Sequence, residues 1–197
     1  MIIISHRVNT IAELKQTPVQ YGVEVDLRDH DGAIVLQHDP FKGGESFEEY
    51  LQYYQHRFIV LNVKCEGIEE RTLQLVAQRG ISDFFLLDLS FPALIGLVRK
   101  GERRVAVRYS EFEPIEGCLA LAGKVNWVWL DCFTQYPTKP ALWGSVLKEF
   151  RICLVAPELQ GRACPAMEDM RALEALYRMS AVCTKFPNLW ASASRND

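Results

Sequence analysis

Short apolar runs rich in β-branched residues alternate with stretches of helical spacing along the whole chain, and this alternation restricts the fold more than any other feature. Strands joined through helices need crossover connections, which produce a parallel sheet. Eight such runs predict a small α/β protein, a (β/α)8 TIM barrel. An open doubly wound sheet is the alternative, although no G-x-G-x-x-G motif follows a strand to favour its nucleotide-binding form. The eight runs are Ile2–Ser5, Val23–Leu27, Phe58–Val63, Phe84–Leu87, Val105–Arg108, Trp127–Leu130, Ile152–Ala156 and Ala181–Thr184.

The length of the chain limits what can surround these strands. At 197 residues it is shorter than the roughly 250 typical of such barrels, so some helices must be short or missing. No linker, charge block or low-complexity segment divides it. We therefore predict one barrel domain over residues 1–190, followed by a frayed tail over residues 191–197. The stretches with helical spacing include Ile68–Ala77, Phe91–Val98 and Met167–Tyr177.

The second strand is followed by another extended run instead of a helix. Asp31-Gly32 lies between the run Val23–Leu27 and the run Ala33–Gln37, and Asp-Gly between two extended runs is typical of a β-hairpin. The second run ends at His38. The barrel is therefore expected to carry a short β-hairpin excursion after strand 2.

Composition excludes several classes of protein. The 22 Lys and Arg against 25 Asp and Glu leave a net charge of −3, which argues against a general nucleic-acid binder, since phosphate contacts need a basic surface. No apolar run approaches a membrane span, and the start lacks a signal peptide's apolar region. We therefore expect a cytoplasmic protein. The six cysteines form no C-x-x-C pair, so they predict buried thiols and no zinc or redox site.

Function in a parallel barrel gathers at the carboxyl ends of the strands, and two strands there carry paired polar residues. Glu24 and Asp26 have a spacing of two, which places both carboxylates on one face of a strand. Asn62 and Lys64 repeat that spacing one strand along. Two adjacent carboxylates repel unless a cation or protons compensate. A hard divalent ion would do so, and so would a salt bridge to Arg7 or Lys64 with no metal, and the pair alone does not choose between them.

Two of the four histidines complete this candidate site. His6 follows the first strand, and His38 ends the hairpin excursion above the second. Two imidazoles that flank a metal and an anion clamp form an acid–base pair suited to cleaving a phosphate ester. His30 and His56 are expected to face solvent. Asp131, also at a strand end, is interpreted as a turn cap.

The residues around this site resemble a known family. The pattern is similar to the signature of the glycerophosphodiester phosphodiesterases, and more broadly to the phosphatidylinositol-phospholipase-C-like phosphodiesterase superfamily, whose fold is a (β/α)8 barrel. The resemblance is specific over residues 5–40 and continues more weakly to residues 182–187. It rests on Ser5-His6-Arg7, Val23-Glu24-Val25-Asp26, the Asp31-Gly32 turn and Leu36-Gln37-His38-Asp39-Pro40.

The resemblance implies a phosphoric diester hydrolase acting on a small polar, glycerophosphodiester-like molecule. It implies one divalent cation, Ca²⁺ or Mg²⁺. The oligomeric state is left open, and so is which histidine is the acid. By position, the resemblance implies an acid–base pair at His6 and His38, phosphate contacts from Arg7 and Lys64, and metal ligands at Glu24, Asp26 and Asn62.

The chain departs from the family pattern at three places. Val8 replaces a glycine and the first loop is short; Asn62 replaces an acidic metal ligand; and the insertion after His-Asp is reduced to about Phe41–Ser46. A neutral amide lowers the charge of the ligand set, so we expect weak metal binding and an open mouth. Two alternative functions follow, a catalytically weakened barrel that binds a phosphate or sugar phosphate, and a lyase that forms a cyclic phosphate.

Overall fold

The computed structural model describes residues 1–137 and 143–194 as alternating strands and helices. Eight of the strands are parallel, and their bounds match the eight predicted runs to within a few residues. The other two, β3 and β4, belong to the predicted hairpin excursion. The strands are β1 (Ile2–Ser5), β2 (Gly22–His30), β3 (Ala33–Leu36), β4 (Glu45–Ser46), β5 (Ile59–Val63), β6 (Phe84–Leu87), β7 (Ala106–Tyr109), β8 (Trp127–Leu130), β9 (Arg151–Val155) and β10 (Ala181–Thr184).

The parallel strands follow one another around a barrel. The first strand, β1, pairs with both β2 and the last strand, β10, which excludes the open doubly wound alternative. Parallel ladders connect β2, β5 and β6 on one side and β7 to β10 on the other. Between β6 and β7 the ladder is not continuous, and the two strands meet at one isolated bridge between Leu86 and Val105. The prediction of a (β/α)8-type barrel is confirmed, and its sheet stays open along this one seam.

The helices are short, as the length of the chain requires. The three predicted helices are confirmed to within a residue or two, and Ser90 caps the fourth by accepting a hydrogen bond from the Ala93 amide. Within residues 1–137 and 143–194 the helices are α1 (Ile11–Gln16), α2 (Phe47–Tyr53), α3 (Glu69–Gln78), α4 (Phe91–Arg99), α5 (Ile115–Leu119), α6 (Trp143–Glu149), α7 (Met167–Tyr177) and α8 (Pro187–Ala193), with a 3-10 turn at Pro157–Gln160 after β9.

The last helix, α8, covers the start of the predicted tail. The boundary expected at Ala191 falls inside α8, which continues to Ala193. Trp190 and Ala193 are both buried, so α8 is held by packing. Residues 195–197 of the predicted tail lie outside the described residues.

The hairpin excursion has the geometry that its turn sequence requires. β3 runs antiparallel to β2, with Ala33 opposite His30, so only two residues form the turn. Asp31 and Gly32 both have positive φ, 52° and 76°. That is the type I′ turn preferred by Asp-Gly, because its twist matches the twist of the two strands. β4 then pairs with β3 and widens the arm.

Gly44 holds the loop that returns from β3 to β4, and this loop carries His38. A Cβ at Gly44 would overlap the carbonyl oxygen of Leu36 and lie 2.9 Å from its carbonyl carbon, so backbone would have to move. We expect Gly44→Ala to lower the free energy of unfolding by about 1–3 kcal/mol, as overpacking does. Urea denaturation measures this. Gly43→Ala is the matched control, because its Cβ makes only ordinary contacts with His30. Equal stability of the two variants would contradict this account of the loop.

Apolar side chains fill the barrel interior from its amino-terminal end. Aromatic rings dominate the filling, with the centroids of Phe85 and Trp127 4.9 Å apart and those of Phe58 and Trp127 5.4 Å apart. A second, larger apolar layer lies between the strands and the helices. The interior cluster takes every second residue of most strands: Ile2, Ile4, Phe58, Val60, Phe85, Leu87, Ala106, Trp127, Trp129, Cys153, Val155, Ala181 and Cys183.

Candidate active site

Inside the barrel, the inward-facing side chains change from apolar to polar toward the carboxyl ends of the strands. Side chains two apart on a strand share a face, so each inward column continues beyond its last apolar residue. Glu24 and Asp26 occupy inward positions of β2. Four other columns continue beyond the apolar cluster, and their polar residues are His6, Asn62 and Lys64 on one strand, Arg108 and Asp131. Predicted site residues on three separate strands therefore meet at one mouth of the barrel.

The carboxylate pair is buried. Glu24 and Asp26 are each only 1% exposed. Burial, and then the neighbouring charge of Asp26, raise the pKa of Glu24 to about 7. Both effects penalise the second negative charge. The pair therefore needs positive charge and hydrogen-bond donors around it.

Both oxygens of Glu24 accept hydrogen bonds from this chain. The backbone amide of Arg7 donates to Oε2 at 2.8 Å, and Asn62 Nδ2 donates to Oε1 at 2.8 Å. Arg7 has a φ of 54°, a strained backbone for a residue with a side chain. The strain therefore lies at a residue whose amide contacts the carboxylate pair.

Asn9 holds Asp26 from two directions, and the sequence analysis missed it. Its Nδ2 donates to Asp26 Oδ2 at 2.9 Å, and its Oδ1 accepts the Asp26 backbone amide at 2.9 Å. Asn9 lies just before Thr10, which caps α1. The available signal was an asparagine in a shortened loop beside the His-Arg pair, because asparagine side chains often bind nearby backbone.

Two cations lie against the buried carboxylates. Arg7 Nε is 3.6 Å from Asp26 Oδ2, and Lys64 Nζ is 3.5 Å from Asp26 Oδ1. The salt-bridged arrangement that the sequence left open, involving Arg7 or Lys64, therefore exists with both residues. The same two cations are the predicted phosphate contacts.

Two oxygens of the β2–β5 pair accept no hydrogen bond. Asp26 Oδ1 and Asn62 Oδ1 are both buried, and Asp26 Oδ1 has the ion pair with Lys64 as its polar contact. The two residues are directly opposite in the β2–β5 register. Carboxylate and amide oxygens are the donor type that Ca²⁺ and Mg²⁺ prefer. With Glu24 they fit a hard cation. Nowhere in residues 1–137 and 143–194 do three or more His, Cys, Asp or Glu side chains group as metal ligands, so the set is limited to two carboxylates and an amide.

His6 lies at the edge of the carboxylate pair. Its Nε2 is 3.8 Å from Glu24 Oε2, and its backbone amide donates to Thr184 at the end of β10. Burial, and then the nearby charge of Arg7, lower the pKa of His6 to about 4. The imidazole is therefore neutral at pH 7 and able to accept a proton.

His38 is more open and lies on the loop after β3. Its Nδ1 is 3.0 Å from Asp39 Oδ1, which favours a proton on that nitrogen. A hydrogen bond from Lys42, and then one with His38, lower the pKa of Asp39 to about 2. Arg28 Nε donates to the His38 carbonyl, and the amide of the preceding residue, Gln37, donates to the Asp26 carbonyl. The loop is thus held on β2 beside the carboxylate pair.

The other two histidines differ from each other. His30 is exposed, as predicted. His56 is buried, and the prediction that it faces solvent is wrong. Its Nε2 lies 2.8 Å from the Thr17 carbonyl and its ring lies beside Tyr54. His56 lies in the connection between α2 and β5, and it packs there against the loop that contains Thr17.

Lys64 begins a chain of ion pairs that crosses the mouth. Its Nζ is 3.1 Å from Asp88 Oδ2 as well as 3.5 Å from Asp26 Oδ1. Arg108 then pairs with both Asp88 and Asp131. Asp88 has a φ of 58°, which interrupts the alternation of β6. The chain links the ends of β2, β5, β6, β7 and β8.

Asp131 also serves as the predicted cap. Its Oδ1 accepts the Cys132 amide at 2.8 Å and Gln160 Nε2 at 2.7 Å. Its other oxygen pairs with Arg108. The residue is thus both a turn cap and the end of the ion-pair chain.

The opposite rim is built around Glu158. Its Oε1 accepts from the Thr184 hydroxyl and from the Lys185 amide, the latter at 3.2 Å. Lys185 Nζ donates to the Glu158 carbonyl at 3.3 Å. Lys185 is therefore a third cation near His6, and its positive charge is among the causes that lower the pKa of His6.

Two remaining expectations concern cysteines and membranes. All six cysteines are free. Cys118, Cys132, Cys153 and Cys183 are buried, as predicted, whereas Cys65 and Cys164 are only half-buried. Within the part of the chain that the structure describes, every helix falls short of the length and apolarity that a membrane crossing needs.

The fold of this chain is similar to that of known proteins. No protein-family model matches the chain, and no curated protein is similar in sequence. A glycerophosphodiester phosphodiesterase from Agrobacterium tumefaciens superposes with a TM-score of 0.68 at 15% identity, over 98% of this chain and 99% of that one. A glycerophosphoryl diester phosphodiesterase from Parabacteroides distasonis superposes with a TM-score of 0.65 at 15% identity, over 98% and 85%. The chain therefore has the fold of the glycerophosphodiester phosphodiesterases, as the resemblance in its sequence implied.

Proposed function

We propose that the chain is a phosphodiesterase that hydrolyses a small phosphodiester at the mouth of the barrel. The observation that carries this proposal is the set of contacts around Glu24 and Asp26, where His6, Arg7 and Lys64 all approach within 4 Å of one carboxylate or the other. The shared fold supports it, since the similar structures are glycerophosphodiester phosphodiesterases.

The proposed roles follow from protonation and charge. His6 is neutral at pH 7, so it takes the proton of the attacking water. His38, with Asp39 on its other nitrogen, gives a proton to the leaving alkoxide. A bond forms between phosphorus and the water oxygen while the bond from phosphorus to the alcohol oxygen breaks. The sequence left open which histidine is the base. We assign His6 as the base and His38 as the acid because His6 is the more buried of the two.

Arg7 and Lys64 would neutralise the phosphate oxygens. Catalysis of phosphoryl transfer depends mainly on positioning and charge compensation. Both cations already lie against Asp26, so a phosphate that approaches them shares their charge with that carboxylate. A divalent ion held by Glu24, Asp26 and Asn62 would supply further positive charge to the phosphate.

We propose that this ion binds weakly. Asn62 contributes no charge, and Lys64 lies near an oxygen that the ion would use. We expect isothermal titration of the apo protein to give a calcium dissociation constant above the micromolar range. Glu24→Gln/Asp26→Asn should bind no divalent ion, because it removes both charges. Submicromolar binding by the parent, or unchanged binding by the double variant, would contradict the assignment.

Turnover of model substrates tests the function itself. Protein loaded with Ca²⁺ or Mg²⁺ should release p-nitrophenol from bis-p-nitrophenyl phosphate or an alcohol from a glycerophosphodiester. Phosphorus NMR of the product distinguishes a hydrolase from a lyase that stops at a cyclic phosphate. Binding of a phosphate without turnover of any diester would instead support the weakened binding barrel, for which the charge lost at Asn62 is the specific observation.

A further inference from the structure

A cavity of about 300 Å³ lies beside the ion-pair chain, at the carboxyl ends of β6 and β7 and between α4 and α5. It is at the same mouth of the barrel as the candidate active site. At about 30 Å³ for each water in the liquid, its volume corresponds to about ten water-sized volumes. This is room for a small substituent.

The open seam of the barrel explains why space exists there. β6 and β7 meet at the bridge between Leu86 and Val105, and no ladder continues beyond it. The residues after the bridge, Leu87 on one strand and Ala106 on the other, line the cavity. The small side chain of Ala106 adds to the space, and so does Gly117 of α5, which also lines it.

The walls of the cavity are mainly apolar. Leu94 and Leu121 are buried there, and Phe91 stands beside them with 65% of its surface exposed. Ligand pockets are lined mostly by apolar and aromatic side chains with a few polar groups, as these walls are. Such walls favour an apolar group, because its burial removes apolar surface from water.

The charged residues of the cavity offer few free partners. Asp88 pairs with Lys64 and Arg108, and Glu113 lies 3.7 Å from Arg108 Nε and accepts from Ser110 at 2.7 Å. A group rich in hydroxyls would have to break these pairs to be satisfied. An apolar group leaves them intact.

Asp88 connects the cavity to the proposed phosphate site. It lines the cavity and lies 3.1 Å from Lys64 Nζ, which is itself 3.5 Å from Asp26. A phosphate bound at Lys64 would therefore lie beside Asp88, which both pairs with Lys64 and lines the cavity. One residue, Asp88, thus joins the phosphate site to the cavity.

We propose that this cavity binds one ester group of the substrate, and that this group is an apolar alkyl or aryl alcohol. The inference rests on the proposed function, since it takes the phosphate to lie at Arg7 and Lys64. It goes beyond that function by naming the chemistry of one alcohol and the residues that select it. The preference comes from Phe91, Leu94 and Leu121 together with the space at Gly117.

Binding of two monoesters tests the proposal, because each carries a phosphate and only one organic group. Isothermal titration in Mg²⁺-containing buffer should show phenyl phosphate binding at least about tenfold more tightly than methyl phosphate, from the apolar area of the ring. Gly117→Phe should abolish this preference and leave methyl phosphate binding unchanged. No heavy atom lies within 4 Å of a Cβ at Gly117, so the new ring has room to fill the cavity.

Gly144→Phe is the matched control, since Gly144 is also a helical glycine with open space and lies outside the cavity. It should behave like the parent protein. Phe91→Ala is a second variant at an exposed position, and it should weaken phenyl phosphate binding severalfold even if Gly117→Phe does not fold. Equal binding of the two monoesters by the parent, or an unchanged preference in both cavity variants, would overturn the inference and leave the phosphate site standing. No binding of either monoester would overturn the phosphate site and the inference together.

Discussion

Replacing His6 or His38 with alanine is expected to lower kcat for bis-p-nitrophenyl phosphate by about 10²–10⁴-fold, the usual contribution of a positioned acid or base. Each variant should keep the parent's thermal unfolding midpoint to within a few degrees. His6 packs at the edge of the site, and His38 is partly exposed. Steady-state kinetics with metal-loaded protein, together with a thermal melt, measures both quantities.

The control for this experiment is His30→Ala. His30 is exposed on the hairpin arm, and its side chain forms an ion pair with the exposed Asp31. Its loss should leave kcat within about twofold of the parent, as for most surface changes. His56→Ala is unsuitable, because His56 is buried and bonded to Thr17, so its loss would change stability. Near-native turnover in a His6 or His38 variant would exclude that residue from proton transfer.

Asn62→Glu is expected to raise calcium affinity at least about tenfold and to destabilise the metal-free protein. The substitution adds a carboxylate to the ligand set, which strengthens binding of a hard cation. It also removes the hydrogen bond from Asn62 Nδ2 to Glu24 Oε1 and opposes two buried carboxylates there. Loss of a hydrogen bond to a charged group costs about 1.5–3 kcal/mol. Titration calorimetry and chelator-treated thermal melts measure the two effects.

Saturating calcium should recover the lost stability of Asn62→Glu, because an ion that binds only the folded state stabilises it. Asn62→Gln serves as the control, since it lengthens the side chain without adding charge, and it should not raise affinity. If Asn62→Glu raises both affinity and turnover, the parent site is a weakened form of a stronger enzyme. If it binds calcium no better than Asn62→Gln does, the assignment of Asn62 as a ligand is wrong.

The barrel could be predicted because its local and global requirements agree. Runs such as Phe84–Leu87 and Trp127–Leu130 are short, apolar and separated by helical stretches, which only a parallel sheet accommodates. The Asp31-Gly32 turn specifies its hairpin through the positive φ of both residues. His56 was mispredicted because its burial depends on packing between the α2–β5 connection and the loop at Thr17, which local pattern does not contain.

The candidate site, too, could be predicted only in part. Glu24 and Asp26 are two residues apart on one strand, which places them on the same face. This spacing was enough to identify the pair from the sequence. Asn9 could not be assigned, because its role is two long-range hydrogen bonds to Asp26. The sharing of Lys64 between Asp26 and Asp88 likewise joins three strands that are distant in the chain.

Periodicity along single segments, together with the Asp31-Gly32 turn, was therefore enough to predict the alternation of strands and helices, the hairpin and the carboxylate pair. The tertiary structure decided how charge is balanced and where space is left. It set Arg7 and Lys64 against the buried carboxylates, and it left the seam open beyond the bridge between Leu86 and Val105, beside a cavity. These features depend on distances between separate strands, and such distances are set only when the whole sheet curves and the side chains of all its strands compete for the same interior.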